Sequence, residues 1–428
     1  MTASHLPAGR IEPRFALAAA LAVVACVALW PMEALAEAML ALLALATLAG
    51  LATRRVALPR EGLWLCLALF GGYWLPQLVS AIDAINPARA WREVGVDLRY
   101  LPFLLGCAVA AAWRPAIVVV GVGLVALAWS LDGLLQAATG LSLGGAADPV
   151  RLTGVFGAGN PKLGLVLASL SPFLLLPLGR RFGWPAWLLA ALAVGVVVAL
   201  AGARAAWLSY GLVLLASGWR VLGGRRALLV VLAGGLALSA AGLLVSDRFS
   251  ERVGRTLAAF GEDGGGIDAA LAGRLPIWRA ALAMAADHPV NGVGVRGFRE
   301  AWSDYSDVAP EAQAWGDGVG ALHAHHWVLE VLAETGGFGL LCWLAAMAAA
   351  GLAWRRALPE QRRSAEPAAL ALGVSLFPLN THLAVYSTFW GGVILTLAGI
   401  LVGLLCHRPR DDGAAQRDVP SQGGRAPG

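Results

Sequence analysis

The chain has 428 residues, of which 58% are hydrophobic and only 14% charged, against roughly 25% charge in soluble domains, and this composition marks an integral membrane protein. Its formal net charge is +5, yet the arginines are scattered through short loops instead of forming one basic face, which argues against a nucleic-acid partner. The five cysteines, Cys26, Cys66, Cys107, Cys342 and Cys406, fall in or at the end of apolar runs without Cys-x-x-Cys spacing, so neither a disulfide framework nor a cysteine metal site is expected.

Apolar runs of about the length needed to cross a bilayer recur twelve times, at 15–31, 33–52, 62–80, 100–113, 115–137, 161–178, 184–202, 205–219, 227–245, 326–352, 366–384 and 388–406. The expected fold is all-α, a polytopic membrane protein of about twelve transmembrane helices. Residues 1–14 and the first run resemble a signal peptide, but a second run follows directly after Pro31, so the first is expected to stay as a span. The expected division is 1–245 for spans one to nine, 246–325 for one large helical loop, 326–407 for spans ten to twelve and 408–428 for a disordered tail.

Lysine and arginine set the orientation. With the N-terminus inside, 19 of the 32 fall on short inner connections or at the two ends, among them Arg55, Arg114, Arg180, Arg220, Arg225 and Arg363, and both termini are cytoplasmic. The other 13 fall outside, against the usual bias, and require a local reason such as an anionic ligand. Long translocated loops escape the rule, which covers the arginines between 248 and 299; it covers Arg204 less easily.

In chain order, the first outer group is Arg89, Arg92 and Arg99 around Trp91, with Glu93 and Asp97 as possible internal partners. Structural ion pairs or headgroup contacts account for most of these. Arg151 opens Arg-Leu-Thr-Gly-Val-Phe-Gly-Ala-Gly-Asn-Pro-Lys, a loop in which Asn160 and Lys162, the single lysine of the chain, stand at the start of the sixth run. Backbone amides near a helix N-terminus together with a cation favour phosphate, although a glycine-rich loop alone is a weak signal. Arg204, in Leu-Ala-Gly-Ala-Arg-Ala-Ala-Trp, sits between the seventh and eighth runs with almost no loop around it. Its guanidinium is expected at the outer interface, either snorkelling to headgroups or clamping an anion.

Unusual polarity is densest over residues 273–339, where Arg274, Arg296, Arg299, His323, His325 and His326 gather beside long apolar runs. The outer segment 246–322 is too long for a simple turn. Leu275, Trp278, Leu282 and Ala286 recur in it at helical spacing, predicting an amphipathic helix against the membrane surface that ends at Pro289 and Gly292. The acidic, glycine-rich run 261–268 reads as an exposed turn. The His-Ala-His-His cluster could hold a metal, but zinc takes three or four suitably spaced ligands, no cysteine is near, and Glu330 and Glu334 run down a helix, so none is expected. A neutral histidine at the mouth of a span can instead accept a proton from a hydroxyl near pH 7. His382, in the eleventh run, is read as a buried, hydrogen-bonded residue.

No Walker loop, and no Gly-x-Gly-x-x-Gly following a strand, is present, so neither bound ATP nor any other cofactor is expected. A donor that brings its own leaving group fits better, because arginines can neutralise departing phosphates while a histidine deprotonates the attacking hydroxyl. Leu-Ala-Gly-Ala-Arg at 200–204, Gly-Arg-x-x-x-Trp from Gly273, Asp-His-Pro-x-x-Gly-Val-Gly-x-x-Gly-Phe from Asp287 and His-x-His-His-x-x-Leu-x-x-x-x-Glu-x-Gly from His323 together resemble the O-antigen ligase and polymerase superfamily, over about residues 150–345.

The resemblance implies an inverting, metal-independent glycosyltransferase of the bacterial inner membrane, whose large helical loop and active site face the periplasm. It implies a donor glycan linked to undecaprenyl pyrophosphate and an acceptor hydroxyl on lipid A-core, for a ligase, or on a second lipid-linked glycan, for a polymerase; a protein acceptor is a third possibility. Carried over by motif, Arg204 and Arg274 would hold the pyrophosphate, with Arg151 and Lys162 as further candidates. His325 takes the position of the base, His326 stands where the family has asparagine, and His323, Arg296, Asn160 and Trp278 are accessory. Chain length and a single outer loop of about 75 residues favour the ligase. A transporter or flippase also has many spans, but no inverted repeat is visible, and apart from Asp132 and His382 the charges cluster at the outer surface.

Overall fold

The computed structural model describes residues 12–146, 148, 151–245, 271, 273–307, 321–380 and 383–407, and among these it contains helices and no strand. The helices in chain order are α1 (Pro13–Ala28), α2 (Glu33–Ala52), α3 (Arg60–Ser80), α4 (Pro87–Asp97), α5 (Tyr100–Trp113), α6 (Pro115–Thr139), α7 (Leu163–Leu170) and α8 (Pro172–Phe182). They continue with α9 (Trp184–Ala201), α10 (Arg204–Leu222), α11 (Gly224–Val245), α12 (Leu275–Asp287), α13 (Phe298–Tyr305), α14 (Trp327–Arg356), α15 (Pro359–Ser375) and α16 (Thr388–Cys406). Nine helical segments among the described residues are long and apolar enough to cross a membrane, counting α4 with α5 and α7 with α8 as one segment each. Together with exposed leucines such as Leu45, Leu189 and Leu341, which only a lipid surroundings would favour, they define an all-α polytopic membrane protein.

The twelve apolar runs all carry helix, with two adjustments. The shortest run became the centre of the molecule: α5 is buried from Pro102 to Ala111 and packs against α2, α3 and α16, itself buried from Trp390 to Leu405. A helix enclosed by protein needs no lipid-facing leucines, and α4 extends it across the bilayer as one segment from Pro87 to Trp113. The eleventh run is displaced toward the N-terminus, because α15 starts at Pro359, a residue preorganised for the first turn, and ends before Pro378, which cannot continue it. His382, the run 261–268 and the tail 408–428 lie outside the described residues.

Polar contacts between helices divide the bundle into two ends. At one, Glu366 receives Arg180 and Arg220, the Arg180 guanidinium also donates to the Arg363 carbonyl, and Arg114 donates to Pro13. At the other, Lys162 pairs with Glu33, Arg99 with Glu37 at 2.8 Å, Arg89 with Glu300 at 2.9 Å, and Asn291 donates to Asp83. Each pair joins two segments that the arginine distribution assigned to the same side.

Candidate active site

The end expected to be outer carries a cap of α12, α13 and the strap between them. The cap rests on a break in α14. Gly336 has φ +64 inside that helix, a left-handed conformation that glycine adopts without strain, and the opened backbone takes the strap in ladder-like hydrogen bonds. Val293 N donates to Ala333 O at 2.8 Å, Gly294 N to Glu334 O at 3.1 Å, and Gly337 N to Pro289 O at 2.8 Å. A side chain at Gly292 would overlap the Glu334–Thr335 backbone, and one at Gly336 would overlap Val290, so the glycines of the strap and the break are required by close approach.

The helix predicted from Leu275, Trp278, Leu282 and Ala286 forms as α12, with a different face inward. Ile277, Ala280, Ala281 and Met284 are buried against α13 and α14, while Leu282 is exposed. Small residues let two helices approach, so the alanine face takes the protein contact and leucine is left outward.

Arg204 is the first residue of α10, where Gly202, at φ +71, turns the chain back in a two-residue connection from α9. Arg274 is the N-cap of α12, and His326 is the N-cap of α14. Ala203 and Arg274 offer no acceptor for first-turn amides, and a cation at the positive end of a helix is opposed by its dipole. The two arginines are also neighbours: burial first, then repulsion from Arg204, pushes the Arg274 guanidinium down to about 10. Like charges crowded at helix N-termini form a ready site for an anion.

The histidines stand beside it. Trp278, one turn along α12 from Arg274, meets the His326 ring edge-on at 5.7 Å, and the His323 and His325 rings lie 3.9 Å apart. His325 is buried and has φ +51, a backbone conformation rare for a residue with a side chain and concentrated at functional sites. Burial holds the His326 imidazole below its ordinary range, which keeps it neutral. Its Nδ1 is buried with no hydrogen-bond partner among the described residues. Among those residues no group of three His, Cys, Asp or Glu is placed to hold a metal ion.

The remaining candidates are held elsewhere. The loop that begins at Arg151 is fastened to α6, with Thr153 N and Gly154 N donating to Gln136 Oε1 at 3.1 and 2.7 Å. Asp132, in the same helix, accepts from Ser142 Oγ and Leu143 N. Asn160 Oδ1 accepts from Lys162 N, and the Lys162 ammonium pairs with Glu33 and sits 4.3 Å from the centre of the Phe389 ring. Arg296, at φ +60, donates its backbone N–H to Glu334 Oε2 at 2.8 Å, and its guanidinium is a counter-charge to Glu330 and Glu334. Arg92 keeps the expected partner Glu93 at 3.9 Å, while Arg89 and Arg99 pair with Glu300 and Glu37, and Asp97 turns inward to accept from Tyr73 at 3.0 Å.

Two buried carboxylates organise this end more than their sequence context announced. Glu330 accepts from Val385 N and Tyr386 N at 3.2 and 3.4 Å, and Glu334 accepts from Arg296 N and Phe298 N. One turn apart on α14, they tie two separate loops to the helix that begins at His326. The available signal was two acids at positions i and i+4 heading an otherwise apolar run, each too costly to bury without hydrogen bonds.

One end of the bundle thus gathers two arginines and three histidines close to helix N-termini. Residues 163–344 match the family model described as O-antigen ligase. That segment is similar to O-antigen ligases, which supports a ligase- or polymerase-type glycosyltransferase. The match contains Arg204, Arg274, His325 and His326 and begins one residue after Lys162. Curated proteins give no match.

Proposed function

We propose that the protein is an O-antigen ligase-type enzyme of the bacterial inner membrane, moving a glycan from undecaprenyl pyrophosphate to a lipid A-core hydroxyl at the periplasmic face. The observation that carries this reading is the pairing of Arg204 with Arg274 at two helix N-termini, next to the histidines. A pyrophosphate leaving group gathers negative charge as the glycosidic bond breaks, and two guanidiniums near enough to repel each other can stabilise that charge together.

In the mechanism, His325 takes the proton from the acceptor hydroxyl as its oxygen attacks the anomeric carbon from the face opposite the pyrophosphate. The configuration inverts, and the bond electrons leave with undecaprenyl pyrophosphate. His326, neutral and in the asparagine position, orients the acceptor, and His323 packs on the base. Arg296 supports the strap and Trp278 fixes His326 edge-on, while Arg151, Asn160 and Lys162, held by contacts of their own, take no part in these steps. No metal or cofactor enters these steps.

The test is transfer by purified protein from undecaprenyl-pyrophosphate glycan, offered lipid A-core or a second lipid-linked glycan in separate reactions. Sugar gained by lipid A-core supports the ligase. Sugar gained only by the lipid-linked glycan makes the enzyme a polymerase on the same chemistry. Flux of the lipid with no glycosidic bond formed would replace the reading with a transporter.

A further inference from the structure

At the end of the bundle opposite the histidines, α8, α10 and α15 bring three arginines around one carboxylate. Glu366 Oε2 accepts from Arg180, and its Oε1 accepts from Arg220 Nε at 2.6 Å, so both oxygens are occupied. The other amino group of Arg180 donates to the Arg363 carbonyl at 2.7 Å, and the charges of Arg363 and Arg220 both act on Arg180. Three positive charges thus face one negative charge. Among the described residues the exposed Arg363 guanidinium makes no hydrogen bond or ion pair, and Arg220 makes none beyond its contact with Glu366. Beside them a cleft of about 550 Å³ opens between α10 and α15, walled by Leu212, Leu215, Ala216 and Trp219, with Arg220 and Glu366 at its end. From Leu212 to Arg220 it follows α10 for roughly 12 Å at the helical rise. Trp219 is 64% exposed, a placement that suits an indole at a membrane–water boundary.

We propose that this cleft binds one anionic glycerophospholipid, with its phosphate on Arg220 and Arg363 and an acyl chain along Leu212 and Leu215. The site is separate from the proposed active site and does not depend on it. Basic pockets between helices at a membrane face take acidic headgroups, and a guanidinium meets a phosphate in two-point contact. An arginine that only snorkels to bulk headgroups needs neither a cleft nor neighbours of its own sign. Here Glu366 holds Arg180 and Arg220 side by side against their repulsion, and two positive charges are left over for the ligand. The apolar wall favours a lipid over free phosphate, because leucine and tryptophan add nothing to the binding of a bare anion. A zwitterionic lipid would bring its own cation into a region already positive.

Full-length protein in detergent is titrated with phosphatidylglycerol and, separately, with phosphatidylcholine of the same acyl chains, and bound lipid is counted by native mass spectrometry. One site that prefers phosphatidylglycerol is expected. Arg363→Gln and Arg220→Gln should each weaken phosphatidylglycerol about fivefold, the share of one arginine near an acidic headgroup, and leave phosphatidylcholine unchanged. The Arg363 side chain holds no other part of the described structure, and Glu366 keeps Arg180 when Arg220 is replaced, so both variants should fold. Arg92→Gln removes the same net charge at the other end of the bundle, where Arg92 meets Glu93 only at 3.9 Å, and should leave binding as it is. Excess glycerophosphate, which has the phosphate without the acyl chains, should not displace the lipid. Equal affinity for the two lipids, equal weakening by Arg363→Gln and Arg92→Gln, or unchanged binding in both Arg363→Gln and Arg220→Gln would overturn the proposal. Displacement by glycerophosphate would overturn it in favour of a free-phosphate site.

Discussion

At the scale of single residues, the site is recognisable because several side chains occupy positions that folding alone disfavours. Arg274 is half-buried and repelled by Arg204, so its charged form is penalised in the folded state. Its folded value of about 10 lies below the ordinary guanidinium range, so the folded protein binds fewer protons between the two and stability rises with pH there. At neutral pH the penalty is fully present. Arg274→Ala should stay folded, while transfer falls by the equivalent of about 2–4 kcal/mol in the barrier. A thermal melt and a turnover assay on one preparation check both halves. Added pyrophosphate should raise the melting temperature of the wild type and not of the variant.

His325→Ala should lower transfer by about 10²–10⁴. His326→Asn, which restores the residue the family places there, should leave most activity. Because burial lowers the His326 value, any acid limb that it contributes lies below the ordinary imidazole range near 6.5 and should vanish in His326→Asn. A pH–rate profile of the two proteins decides this. Loss of activity in the asparagine variant comparable with His325→Ala would move the base by one residue.

At the scale of elements, the strap over α14 is the device that holds the outer end together. Gly292→Ala would bring a methyl group against the Glu334–Thr335 backbone at a residue with φ +70, and should destabilise by about 1–3 kcal/mol from overpacking plus about 1 from the left-handed backbone. Gly95→Ala, on an exposed face of α4 with nothing within 4 Å of the new methyl, should be neutral or stabilising. Chemical denaturation in detergent separates the two. Similar losses in both variants would mean that the strap glycines are not required by packing.

The elements were legible in the sequence where apolar length decides them, and less so where protein replaces lipid. The run at 100–113 is short for a span, and only its burial among neighbouring helices shows why it need not be longer. The break at Gly336 lies within an unbroken apolar run, and what opens it is pairing with a strap some 40 residues earlier in the chain. Arg204, Arg274 and the histidines were visible as charged or titratable groups beside spans, because such placement needs a reason. The roles of Glu33, Gln136 and Asp132 were not, since a lone polar residue near a helix end gives no sign of which loop it will receive.

At the scale of the whole molecule, positive charge was counted onto two sides, and the polar contacts segregate the same way, joining inner segments to inner and outer to outer. In a cysteine-free background, Leu143→Cys, on the exposed loop after α6, should react with a membrane-impermeant thiol reagent in intact spheroplasts. Arg225→Cys, at the start of α11, should react only after lysis. The opposite pattern would put the arginine pair on the cytoplasmic side and remove the periplasmic acceptor.

The central claim is that Arg204 and Arg274 act as one clamp on the departing pyrophosphate. It is tested most directly by single-turnover transfer from undecaprenyl-pyrophosphate glycan with Arg204→Ala, Arg274→Ala and the double variant, in the presence of chelator. The clamp predicts wild-type turnover unaffected by chelation, a loss on the order of 10²–10³ in each single variant, and a double variant little worse than either, because groups that act as a unit are not additive. Near-normal turnover in either single variant, or activity that chelation abolishes and zinc restores, would contradict it.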